Sequence, residues 1–92
     1  MSLDQLRYFV AVADTGTTRA AAARLHVSQP PLSRQIRALE VELGVDLFER
    51  TPKGMSLRPE GHALLRRARR ILSEVHDAVD EAKTLSPSRV RS

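Results

Sequence analysis

Gln29, Ser33 and Arg34 stand close together in the segment QPPLSRQIR, with Pro30, Pro31 and Arg37 around them. A carboxamide, a hydroxyl and a guanidinium in one short stretch form a recognition surface and lack the makings of a reaction centre. An arginine can present two donors to guanine, and an amide can pair with adenine in the major groove of DNA. The periodicity of the same stretch supports this use. Leu32, Ile36, Leu39 and Leu43 recur at steps of four, three and four, which makes one apolar stripe on a helix. Pro30, Ser33, Arg34 and Arg37 fall roughly opposite, with Gln29 at the tip. The plainer alternatives are a first-turn capping role for Gln29 and a solvated surface role for Arg34.

Other chemistries find little support. Without cysteine there is no disulfide framework, thiolate metal site or cysteine nucleophile. His26, His62 and His76 share no metal-ligand spacing. No serine, histidine and acid are placed as a trio, and so small a chain offers little cleft. The expectation is a non-enzyme with no cofactor and no metal. The net charge is +4, from 15 Lys+Arg against 11 Asp+Glu, which suits a polyanionic partner. Its excess sits in the middle: residues 45–70 carry seven bases and three acids, between near-neutral ends. The run Arg66-Arg67-Ala68-Arg69-Arg70 looks like a nucleic-acid patch, but on a helix its arginines scatter round the axis.

Several elements must position these groups, within one modest core. Ser2 and Gln5 fit a capping box before the stripe Leu3, Leu6, Phe9, Val10 and Ala13, and Gly16 supplies the stop. Thr17 can cap a second helix whose alanines, 20 to 23, are strong helix formers with little bulk. Leu25 and Val27 bracket His26 at a turn and are expected to point into the core. Ser28 is expected to cap the third helix, prolines 30 and 31 being tolerated in its first turn, and Gly44 to end it. Leu47-Phe48-Glu49-Arg50 and Met55-Ser56-Leu57-Arg58, separated by Thr51-Pro52-Lys53-Gly54, predict a two-stranded hairpin, or wing. Pro59 suits the first residue of a last helix. There Leu64, Ala68, Ile71, Val75, Ala78, Ala82 and Leu85 recur at alternating steps of four and three, a heptad seam for dimerisation. The alternative is one amphipathic helix packed on its own domain. Ser86-Pro87-Ser88 ends it, and residues 86–92 read as a polar tail.

The predicted fold is mainly α: a winged helix-turn-helix of three core helices and a small β-hairpin, followed by a long linker helix. Its boundaries are 1–58 for the DNA-binding domain, with the helix-turn-helix at about 18–37 and the wing at about 46–58, and 59–85 for the linker/dimerisation helix. The start of the chain is amphipathic and does not resemble a signal peptide, and no apolar run approaches a membrane span. A cytoplasmic, nucleoid-associated protein with no membrane partner is expected.

Leu6, Tyr8-Phe9, Ala11-Val12-Ala13, Gly16, Ala21-Ala22 and Leu25-His26-Val27-Ser28-Gln29-Pro30-Pro31-Leu32-Ser33 carry a resemblance to the N-terminal DNA-binding domain of LysR-type transcriptional regulators. Ile36, Leu39-Glu40, Leu43-Gly44, Leu47-Phe48-Glu49-Arg50, Gly54, Leu57, Gly61 and Ala68 extend it to about residue 85. The resemblance implies base contacts from Gln29, Pro30, Pro31, Ser33 and Arg34, the prolines contributing apolar contacts. It implies a phosphate contact from Arg50 and a wing contact from Lys53, where the family usually has an arginine reaching towards the minor groove. A lysine lacks the planar fork, so a weaker minor-groove preference is expected. Solvated turn charges are the alternative for both.

Thr17, Thr18 and Arg19 open the second helix, whose free amides attract phosphate, although capping alone explains Thr17. Arg37 either reaches phosphate or pairs with Glu40. Position 18 departs from the family, which usually has a large apolar residue there, as does Arg19, where a hydroxyl is usual. Arg58 stands where many members have a threonine cap. The resemblance further implies an inverted-repeat operator in double-stranded DNA and a homodimer through antiparallel last helices, or a tetramer in a full-length protein. A small-molecule inducer would act only through an effector domain that is absent here, and the abrupt tail favours an excised DNA-binding domain. The Pro30–Pro31 pair resembles members that control catabolism of aromatic compounds. A protein–protein interaction module without specific DNA binding is the competing reading.

Overall fold

The computed structural model describes residues 1–85, so the expected polar tail at 86–92 lies outside the described residues. Four helices and one hairpin follow in the order α1 (Leu3–Thr15), α2 (Thr18–Leu25), α3 (Gln29–Leu43), β1 (Phe48–Thr51), β2 (Gly54–Leu57) and α4 (Pro59–Leu85). This is the winged helix-turn-helix with a long final helix.

The helix ends follow from local chemistry. Ser2 Oγ accepts from the Gln5 amide at 3.1 Å and Gln5 Oε1 accepts from the Ser2 amide at 3.0 Å, closing the capping box. Gly16 ends α1 in the left-handed region at φ 87°, and Thr17 Oγ1 accepts from the Ala20 amide at 3.0 Å. His26 turns the chain after α2 with φ 58°, in a region that histidine enters more readily than most residues. Ser28 occupies the N-cap of α3 by backbone geometry, but its side chain makes no capping hydrogen bond, contrary to expectation. The reason is Pro30 and Pro31: they sit at the positions whose amides an N-cap hydroxyl normally accepts from, and proline has none.

Leu6, Phe9 and Val12 of α1, Ala21 and Ala22 of α2, and Leu32, Ile36 and Leu39 of α3 meet in one core with Leu47, Phe48 and Ala68. The small alanines let α2 lie close against α1, and the Phe9 and Phe48 rings pack with centroids 5.4 Å apart. Three residues of the expected apolar faces fall outside it. Leu3 is exposed on the first turn of α1, Val27 at the turn and Leu43 on the last turn of α3. Glu40 is buried in its place, on the face shared with Ile36 and Leu39.

The hairpin pairs Phe48 with Leu57, Glu49 with Ser56, Arg50 with Met55 and Thr51 with Gly54. Both strands thus begin and end one residue away from the predicted spans, Leu47 belonging to the core and Arg58 to the approach to α4. Glu40 Oε2 accepts from the Leu47 and Phe48 amides at 2.8 and 3.3 Å, tying the start of the wing to α3. At the other end of the hairpin the Met55 amide donates to Gly16 O at 2.8 Å. Gly54 permits this approach. Its φ is 138°, and a Cβ there would meet Gly16 O at 2.5 Å.

Candidate nucleic-acid interface

The first turn of α2 is fixed by the Thr17 cap and the wing by its bonds to Glu40 and Gly16, while the first turn of α3 begins without a side-chain cap. Gln29, Pro30, Pro31 and Arg34 are exposed and Ser33 is half-buried, while the opposite side of α3 carries the buried Leu32, Ile36 and Leu39. Thr17, Thr18 and Arg19 open α2 beside them. Gln29 Nε2 donates to Thr18 Oγ1 at 3.0 Å, a bond across the two helix starts. Thr17, Thr18, Arg19, Ala20, Ala23 and Gln29 line one open depression between those starts. Through the Met55–Gly16 hydrogen bond the wing turn is held beside the same α1–α2 junction.

The charged groups divide into two sets. Arg19, Arg34, Arg50 and Lys53 are exposed, and among the described residues none of them has an ion-pair partner. Each therefore keeps its donors available to an anion. Arg37 differs: Nη1 lies 3.4 Å from Asp46 and 3.5 Å from Glu40 Oε1. Glu40 Oε1 is buried without a hydrogen bond, so its contact with Arg37 is a charge pair lacking hydrogen-bond geometry. Arg58 likewise pairs with Glu49 and Glu60 at 3.5 and 3.6 Å. The net effect is four available cations, Arg19 on α2, Arg34 on α3, and Arg50 and Lys53 on the wing.

The seam of α4 divides as well. Ala68 is fully buried in the core of its own chain and Leu64 packs against that core, as do Leu65 and Leu72. These positions anchor the helix to its own head, so of the expected seam Ala68, and in part Leu64, are covered by their own chain. The anchoring is reinforced by Asp14 of α1, which accepts from Arg69 Nη2 at 2.6 Å and lies 3.9 Å from Arg24. Beyond that point Ile71, Ala78, Ala82 and Leu85 are exposed and Val75 is half-buried. The Arg66–Arg70 run does scatter, with Arg69 committed to Asp14.

Three features escaped the sequence: the buried Glu40, the clamp at Asp14 and the Thr18–Gln29 bond. Only Glu40 left a signal, standing four residues after Ile36 on the buried face. Among the described residues no group of three His, Asp or Glu is gathered to hold a metal, and no helix is long and apolar enough to cross a membrane.

Comparison with known proteins places this geometry. The family model "Bacterial regulatory helix-turn-helix protein, lysR family" matches residues 3–62. The HTH-type transcriptional regulator TfdS of Cupriavidus pinatubonensis is 54% identical over 86 residues, covering 94% of this chain, which spans 29% of the length of that regulator. The crystal structure of the CbnR_DBD–DNA complex superposes with a TM-score of 0.87 at 50% identity, covering 94% of this chain and 99% of the other. That of the BenM_DBD/catB site 1 DNA complex reaches 0.91 at 44% identity, covering 94% and 97%. With its helix-turn-helix, its wing and its long last helix all matched in order, the chain belongs to the LysR family of bacterial regulatory helix-turn-helix proteins.

Proposed function

We propose that this chain binds double-stranded DNA sequence-specifically as the DNA-binding domain of a bacterial transcriptional regulator, in the cytoplasm at the nucleoid, and catalyses no reaction. The observation that carries the reading is the exposed start of α3, with Gln29 and Arg34 on it, Arg19 beside Gln29 in the depression between the helix starts, and the available Arg50 and Lys53 on the wing. Solved relatives at 44 to 50% identity bear DNA in their structures, which supports it. α3 enters the major groove, where Gln29, Ser33 and Arg34 read base edges and Pro30 and Pro31 make apolar contacts. Thr17, Thr18, Arg19 and Arg50 hold phosphates, and Lys53 stands at the minor groove. Arg37 joins them with the donors that its Nη1 contacts to Asp46 and Glu40 leave free.

Two copies pair through the exposed part of α4, from Ile71 to Leu85, on an inverted-repeat operator. The regulated genes belong to the catabolism of aromatic compounds, on the strength of the Pro30–Pro31 pair. In a longer protein an effector domain would answer a small-molecule inducer.

Salt and base substitution separate the two kinds of contact. If two subunits neutralise about six phosphates, the log–log salt slope of binding is about −5. Lys53→Ala should weaken all duplexes alike and flatten the slope. Arg34→Ala should remove discrimination at one base pair, worth roughly 1–3 kcal/mol. Equal losses from both variants on specific and random DNA would overturn the division into base readers and phosphate holders.

A further inference from the structure

Gln29 carries a donor and an acceptor on one flexible side chain, and a free carboxamide can present either end to a base. In this molecule one end is already committed. Nε2 donates to Thr18 Oγ1 at 3.0 Å, across eleven positions of chain. Thr18 is well suited to hold it: it is half-buried, sits at the first position of α2, and has a β-branched side chain with few χ1 options. Thr17, the neighbouring hydroxyl, is occupied with capping the Ala20 amide.

On the footing that Gln29 reads a base edge, we propose that Thr18 is a positioning residue that fixes which way round the Gln29 carboxamide faces the groove. An Nε2 group has two hydrogens, and one is given to Thr18. With the hydrogen anti to Oε1 given to Thr18, the remaining hydrogen and Oε1 lie side by side on the free edge, a donor next to an acceptor. That pattern complements the N7 acceptor and N6 donor of adenine. It does not complement guanine, whose N7 and O6 are both acceptors. Holding the side chain before DNA arrives also removes part of the ordering cost of binding. The preference is built from two helices, although only one of them enters the groove.

The test uses the 92-residue chain. A binding selection from random duplexes first supplies the preferred site; affinities are then measured with each of the four base pairs at every position, for the parent protein and for Thr18→Val, Thr18→Ser and Gln29→Ala. Gln29→Ala should flatten one position, where the parent prefers adenine. Thr18→Val should lower the preference at that same position by about two- to tenfold, the range of one hydrogen bond, with melting temperature unchanged. Thr18→Ser should restore it. An unchanged preference in Thr18→Val alongside a flattened one in Gln29→Ala would overturn the role of Thr18 and leave Gln29 as a reader. A uniform loss at all positions in Thr18→Val, with the preference at the Gln29 position unchanged, would leave Thr18 as a phosphate holder alone and overturn its positioning role. A parental preference for guanine at the Gln29 position would mean the amide faces the other way. No effect of Gln29→Ala at any position would remove the reader, and with it the inference.

Discussion

Glu40 is the sole buried charged residue among those described, and its two oxygens do different jobs. Oε2 receives the Leu47 and Phe48 amides, and Oε1 lies against the Arg37 guanidinium. Removing the side chain leaves two amides without an acceptor in a place water does not reach. Glu40→Ala should therefore cost about 1–3 kcal/mol of stability, whereas Glu40→Gln, which keeps an acceptor, should cost clearly less. Urea unfolding of both variants measures the difference; equal losses would show that charge, and not acceptance, is what matters. The exposed polar face at the start of α3 was legible because its residues alternate with an apolar stripe. Glu40 was not, since an acid on a helix is ordinarily solvated and only its step from Ile36 argued otherwise. The Thr18–Gln29 bond was beyond reach from sequence: it joins two helix starts whose separation depends on the turn between them.

At the level of elements, the helices were the most legible part. Ser2, Gly16, Thr17 and Gly44 mark their ends by chemistry local to a few residues. The strands shifted by one residue because the Leu47 amide is taken by Glu40 Oε2, so the Leu47–Arg58 pair keeps only the bond from the Arg58 amide to Leu47 O. The last helix was legible as a helix and misleading as a uniform seam. Heptad spacing states which positions share a face, not which neighbour covers them, and the head of the same chain covers Leu64 and Ala68. Truncation after Ser73 keeps Leu72 on the core and removes most of the exposed seam. The shortened chain should remain folded and sediment as a monomer, while the intact chain dimerises. Sedimentation of the intact chain as a monomer at high concentration would refute pairing through this helix.

The molecule as a whole is elongated, with principal extents of 52 × 25 × 20 Å. Its 27-residue α4 is about 40 Å long at 1.5 Å per residue. Antiparallel pairing of two such helices sets the heads at opposite ends of a rod, and successive major grooves on one face of DNA lie about 34 Å apart. Two-fold symmetry in the protein then demands dyad symmetry in the operator. Inserting about five base pairs between half-sites turns one of them by roughly half a helical turn and should abolish two-headed binding. Footprints of equal extent on the parent and the inserted site would exclude the rod arrangement.

If two copies pair as proposed, the division of α4 between the core of its own head and a partner has a thermal consequence. One continuous helix would then belong to two cores, so separating the subunits would strip cover from an element that the head also needs. Dilution then becomes a denaturant. A partner present at about a hundred times the dissociation constant adds about 2.7 kcal/mol to the folded state, and that increment vanishes as the protein is diluted. The melting temperature should therefore climb with protein concentration, and calorimetry across a hundredfold dilution series reads the slope. With the chain cut after Ser73 the same series should give a flat line.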